Sequence, residues 1–191
     1  LNIYKFHNKP ETLVGYDNAT TIVPDLAYEY AKNELHNKRF PEGEKAIASS
    51  AKHAYLYVDD VIRDEWPMGE KAMATDATWA FSYAFYLHKR FPEGEKAIAT
   101  DAWLSARYSA EILRGQRFKL GEPAIATDPE NAYYYAKSII KGRFKEAEPV
   151  IAADPDFAYK YARDIIKGRW KEGEESIYNS EYAMLYRNLI G

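Results

Sequence analysis

Arg39-Phe-Pro-Glu-Gly-Glu-Lys-Ala-Ile-Ala48 recurs without change as Arg90-Phe-Pro-Glu-Gly-Glu-Lys-Ala-Ile-Ala99. Weaker copies begin at Trp66, Phe118, Phe144 and Trp170, each aligned on the aromatic that heads the segment. The spacing is about 26 residues, the length of a stacked supersecondary unit and too short for an independent domain. A chain of 191 residues filled by such copies reads as one continuous domain with no linker.

The unit between Arg143 and Gly168 shows what each copy encodes. Lys145 to Ala153 places glutamates early and ends on Val150, Ile151 and Ala152, as expected of a two-turn helix with acids at its positive end. Asp154-Pro155 then supplies an N-cap acceptor and a first-turn proline. In the second helix Ala158, Tyr161, Ala162, Ile165 and Ile166 fall at i, i+3, i+4, i+7 and i+8, forming one apolar stripe. Gly168 is expected to close it in the left-handed conformation. Asp76, Asp101 and Asp128 repeat the cap, with Ser50 and Asn179 as chemical equivalents. Two helices this short cannot bury such a stripe alone, so neighbouring hairpins must stack. The expected fold is all-α: a solenoid of about six helix-turn-helix repeats over residues 22–191, capped by a non-repetitive segment at 1–21 and by a modified last copy carrying Arg187 and Asn188.

Comparison of the copies separates scaffold from exception. A tyrosine stands at one place in every second helix: Tyr30, Tyr57, Tyr83, Tyr108, Tyr135, Tyr161 and Tyr186. An evenly repeated ladder has no privileged member, so these rings are assigned to packing between hairpins, with each hydroxyl reaching water or a backbone group. Glu44, Glu70, Glu95, Glu122, Glu148 and Glu174 recur in the first helices, and an arginine precedes five of them by five residues. Ion pairing within or between units is the expected use.

Large apolar residues at outward-facing second-helix positions break the pattern. Leu56, Phe85, Tyr86 and Trp103, with Tyr134 further along, have no evident core to enter, and Asp59 and Asp60 would rim them. A contiguous patch of this kind marks a protein interface, self-association included. The alternative is a superhelical twist that turns these side chains inward, or an N-terminal segment that covers them.

Several chemistries find no support. The chain lacks cysteine, so it has no disulfide or thiolate site and fits a reducing compartment such as the cytoplasm. His7, His36, His53 and His88 make no metal-spaced pair, the glycines form no phosphate loop, and no nucleophile stands beside a base. No catalytic residue, metal or cofactor is therefore assigned, and no stretch is apolar enough for a membrane span. A net charge of −3 gives no general attraction to nucleic acid. Single-strand binding through junction clusters such as Lys38-Arg39 and Lys89-Arg90 is kept as the second reading, although glutamates follow each cluster closely. Self-assembly through the aromatic patch is the third.

The unit Tyr159-Lys-Tyr-Ala-Arg-Asp-Ile-Ile-Lys-Gly-Arg-Trp170, with Phe-Pro-Glu-Gly-Glu-Lys-Ala-Ile-Ala in other copies, resembles a poorly characterised tandem repeat of bacterial and bacteriophage proteins. The resemblance spans about Pro24 to Gly191 and brings no catalytic residues. It implies a helical-repeat fold and a viral setting, in which a small non-enzymatic protein would act as an inhibitor or adaptor on a host protein in the host cytoplasm. Two copies depart from the pattern: Glu65 replaces the arginine in one, and Lys119-Leu120 replaces Pro-Glu in another.

Overall fold

A computed structural model describes residues 23–191, which contain helices and no strand. The N-terminal cap expected over residues 1–21 lies outside the described residues. After α1 (Pro24–Glu29) come six hairpins: α2 (Pro41–Ile47) with α3 (Ala51–Tyr57), α4 (Pro67–Met73) with α5 (Ala77–Leu87), and α6 (Glu95–Ile98) with α7 (Ala102–Arg107). The remaining three pair α8 (Glu122–Ile125) with α9 (Pro129–Tyr135), α10 (Glu148–Ala153) with α11 (Pro155–Tyr161), and α12 (Glu174–Tyr178) with α13 (Ala183–Ile190). Second helices pack in series, α3 on α5, α5 on α7, α7 on α9 and α9 on α11, as an α-solenoid requires.

Local chemistry sets most boundaries. Pro41, Pro67 and Pro129 sit in the first turn of their helices, where a missing N–H costs nothing. Asp76, Asp101, Asp128 and Asp154 accept hydrogen bonds from the opening amides of α5, α7, α9 and α11. The two expected equivalents do not cap. Ser50 precedes α3, but its hydroxyl lies 3.0 Å from His53 Nδ1. Asn179 ends α12, and Ser180 Oγ instead accepts from the Tyr182 amide ahead of α13.

Every second helix but two ends in a π turn: Tyr30–Glu34, Val58–Ile62, Tyr108–Ile112, Ala136–Ile140 and Ala162–Ile166. Here the amide reaches five residues back, as in Arg63 N to Val58 O at 2.7 Å and Leu113 N to Tyr108 O at 2.9 Å. A π turn inserts one residue into an α-helix. The unit whose second helix, α5, runs without one is correspondingly short: Trp66 to Phe91 spans 25 residues, whereas Phe40 to Trp66 and Phe144 to Trp170 each span 26. Beyond the turn positive φ falls at once on Arg63, Lys141 or Lys167 and one residue later on His36 or Arg114, while α5, which has no π turn, ends on His88. Lys167, at φ 61°, holds the left-handed place expected of Gly168. A cation there lies against the helix's negative end, which helps offset the roughly 1–2 kcal/mol cost of that conformation.

The tyrosine ladder runs the length of the stack. Tyr57, Tyr83, Tyr108, Tyr135, Tyr161 and Tyr186 are buried, and each hydroxyl accepts the backbone N–H of the aromatic heading its own unit at 2.7–3.0 Å. The first five rings meanwhile pack against the aromatic of the following unit, as Tyr57 on Trp66 at 5.1 Å, Tyr108 on Phe118 at 5.0 Å and Tyr161 on Trp170 at 4.9 Å, while Tyr186, in the last unit, stands edge-on to Tyr178. One side chain thus closes its own hairpin by hydrogen bond and joins the next by apolar contact.

Close approach at the head of the first helix requires a residue without a side chain in most units. A Cβ on Gly94 would meet the Phe91 ring at 2.5 Å and Ala80 Cβ at 2.7 Å, and one on Gly121 would meet Ser105 Cβ at 2.6 Å.

Candidate functional site

Five of the six recurring glutamates are drawn into forks beside the ladder. Arg39 donates from Nε and Nη2 to the two oxygens of Glu44 at 2.7 and 2.9 Å, and Arg90–Glu95, Arg117–Glu122, Arg143–Glu148 and Arg169–Glu174 repeat the geometry. The tyrosine hydroxyl donates to the same carboxylate, at 3.1 Å for Tyr57 on Glu44 and for Tyr161 on Glu148. Each hydroxyl therefore accepts from a backbone amide and donates to a carboxylate, filling its capacity. The electrostatics follow. Burial, reinforced by Glu44, pushes the Tyr57 phenol up to about 12. Arg143 holds the Glu148 carboxyl below its ordinary value despite burial. Both shifts keep the phenol protonated and the carboxylate ionised at neutral pH, the charge states in which the fork pairs.

The junction arginines pair locally, five residues apart in sequence, and none of the five fork guanidiniums is left to form a continuous basic edge.

The outward residues divide. Phe85 and Trp103 are 40% and 54% exposed. Between them lies Arg107, its guanidinium 5.5 Å from the Phe85 ring centre, 4.6 Å from that of Trp103 and 4.9 Å from that of Phe81. Phe81 and Phe85 stack at 5.9 Å, and Glu111 holds Arg107 from the other side by two hydrogen bonds of 2.8 and 3.1 Å. Leu56 and Tyr86 are partly buried and pack against the core. Tyr134 is 50% exposed but stands on α9, edge-on to Tyr133. Asp59 is exposed, whereas Asp60 is bound inside the stack by Tyr28 Oη and by Lys32 Nζ, the latter at 2.9 Å. The structure thus gathers Phe85 and Trp103 and sets Leu56, Tyr86, Tyr134 and Asp60 apart from them.

Arg107 and Phe81 were not marked by the sequence pattern, yet aligning units on the ladder tyrosine explains their place. Phe81 and Phe85 stand two residues before and after Tyr83, where Tyr28 and Lys32 flank Tyr30 and Tyr133 and Lys137 flank Tyr135. At those two interfaces, α1 with α3 and α9 with α11, the pair grips an aspartate of the next unit: Asp60 in one, and in the other Asp164, which accepts from Tyr133 Oη at 2.5 Å and Lys137 Nζ at 2.7 Å. Across the α5–α7 interface the aspartate position is Glu111, and the polar grip is replaced by an aromatic and guanidinium sandwich.

No family model matches the chain, and neither a curated protein nor a solved structure matches it significantly. Among the described residues no group of three His, Asp or Glu side chains is placed to hold a metal ion, and no helix is long and apolar enough to cross a membrane.

Proposed function

We propose that this chain is a non-enzymatic helical-repeat binding protein that engages another protein through the face built by Phe85, Trp103 and Arg107. The supporting observation is the substitution of an exposed aromatic–arginine sandwich for the Tyr-Lys-Asp grip used at two other interfaces. Aromatic and arginine side chains that remain exposed while held in place supply contact area at little entropic cost, the composition of interface anchors. Exposed Asp59 and the acidic balance of the chain favour a basic or mixed-charge partner. On the resemblance to bacteriophage repeat proteins, that partner is a host protein and the role is that of an inhibitor or adaptor.

The forks, which occupy the junction arginines with carboxylates, count against single-stranded nucleic acid as the ligand. Self-assembly through the same aromatic face is the competing protein-level reading. Phe85→Ala with Trp103→Ala in one chain should leave helicity intact and remove the partner from an affinity capture, with the native chain monomeric in analytical ultracentrifugation. A concentration-dependent mass lost in the variant would assign the face to self-association, and unchanged capture would refute its use as an interface.

A further inference from the structure

Five of the six first-helix glutamates are held by a guanidinium from their own unit, and the sixth is not. Glu70 keeps the tyrosine half of the arrangement, accepting from Tyr83 Oη at 2.8 Å. The position five residues earlier, arginine in the other five units, is Glu65. Lys89 from the next junction reaches Glu65 at 2.6 Å but makes no ion pair with Glu70, the one glutamate of the six without such a pair among the described residues. A cavity of about 140 Å³ opens at this point, lined among others by Glu65, Glu70, Tyr83, Leu87, Lys89 and Phe91.

We propose that this cavity binds a guanidinium group, specifically an arginine side chain presented by another polypeptide. The ligand is identified by the protein's own other units. In each of the five, a glutamate carrying a tyrosine hydroxyl bond takes a planar guanidinium through two parallel hydrogen bonds, and Glu70 with Tyr83 presents the same pair of groups. The volume exceeds that of a few waters and accommodates a guanidinium with its terminal methylenes, for which Leu87 and the Phe91 ring provide apolar wall. The local charge selects a cation. Glu65, Glu70 and Glu93 face the cavity against Lys89, which Glu65 engages, and Arg90, whose fork is taken by Glu95 at 2.5 and 3.1 Å. Lysine is the poorer ligand because a single ammonium cannot match a bidentate carboxylate. This site does not depend on the aromatic face of α5 and α7, so either can fail without the other.

The test is a titration of isotope-labelled protein at neutral pH and low salt with N-acetyl-arginine methylamide, following the backbone amide resonances of Trp66 and Glu70. The expected result is a saturable shift with millimolar affinity, weakened about tenfold for N-acetyl-lysine methylamide. Glu70→Gln removes the response. Glu65→Arg, which supplies the fork from within the chain, also removes it and raises the melting temperature. Equal response to the lysine compound, persistence of the shift in Glu65→Arg, or no saturable shift would each overturn the assignment. Tighter binding of agmatine than of the blocked arginine would overturn the polypeptide source in favour of a small free guanidinium compound.

Discussion

Replacing Tyr161 by phenylalanine isolates what the ladder hydroxyl contributes. The ring is fully buried and packs on Trp170 at 4.9 Å, and Tyr161→Phe keeps that contact, so apolar burial hardly changes. What disappears is the acceptor for the Phe144 amide, 2.8 Å away, and the donor to Glu148, 3.1 Å away. The Phe144 side chain is buried and its amide bonds to this hydroxyl at the junction, so the stranded N–H costs about 1–3 kcal/mol. Glu148 retains both bonds from Arg143, so losing its third donor adds about 0.5–1 kcal/mol. The sum, about 1.5–4 kcal/mol, is a large share of the roughly 5–15 kcal/mol that holds a domain together. Urea unfolding followed by far-ultraviolet circular dichroism gives the total, and hydrogen exchange at the Phe144 amide gives the local term. Tyr186→Phe is the matched control: its bond to Glu174 is already 3.5 Å long and it lies in the last unit, so the loss should be smaller. A cost below about 0.5 kcal/mol with the Phe144 amide still protected would show that the amide finds another acceptor and would refute the reasoning.

The same hydroxyls predict an alkaline transition. Burial raises the phenols of Tyr57, Tyr83, Tyr108 and Tyr161 above their ordinary value of 10.0, Tyr57 to about 12. The fold therefore binds these protons more tightly than the unfolded chain, so stability holds below pH 10 and falls as pH rises from 10.0 towards about 12. Phenolate absorbance and circular dichroism should change together in that window, whereas full ionisation with the helices intact would contradict it. A pair of single-residue deletions tests the π turns. Removing exposed Ser138 from the turn after α9 should be tolerated, giving an unbroken helix like α5, while removing exposed Glu130 ahead of Tyr135 shifts the ladder out of phase and should abolish cooperative melting. Equal tolerance of the two deletions would mean that the turn is not where length is absorbed.

The repeat, the aspartate caps and the packing role of the tyrosines could be read from the sequence because identical pressures act on several copies of each position. The forks were legible as pairs, with local and inter-unit pairing both left open, since a spacing of five residues is not a helical neighbour relation. The π turns were hidden. The distance from ladder tyrosine to the next aromatic is 9 residues after Tyr57 but 8 after Tyr83, and a one-residue difference in that region looks like loop variation. The left-handed residue was placed on Gly168 by its chemistry, whereas the extra turn residue puts Lys167 there. For the large apolar residues read as outward, position within one helix predicted the exposure of Phe85, Trp103 and Tyr134 but not of Leu56 and Tyr86, because the lean of one hairpin on the next decides which outward side chains are covered. Arg107 and Phe81 emerge only when units are aligned on the ladder tyrosine and read across the interface.

The π turns also bear on how such a chain can change. In most folds, gaining or losing a residue inside a helix rotates everything beyond it by about 100°, and the core is lost. Here the variable segment lies after the tyrosine has closed one hairpin and before the next aromatic opens another. Units of 25 and 26 residues coexist in one stack, each with its hydroxyl on the right amide. Errors of copying that would be lethal in a globular core become, at these joints, a source of neighbouring units that differ by a residue and still fit together.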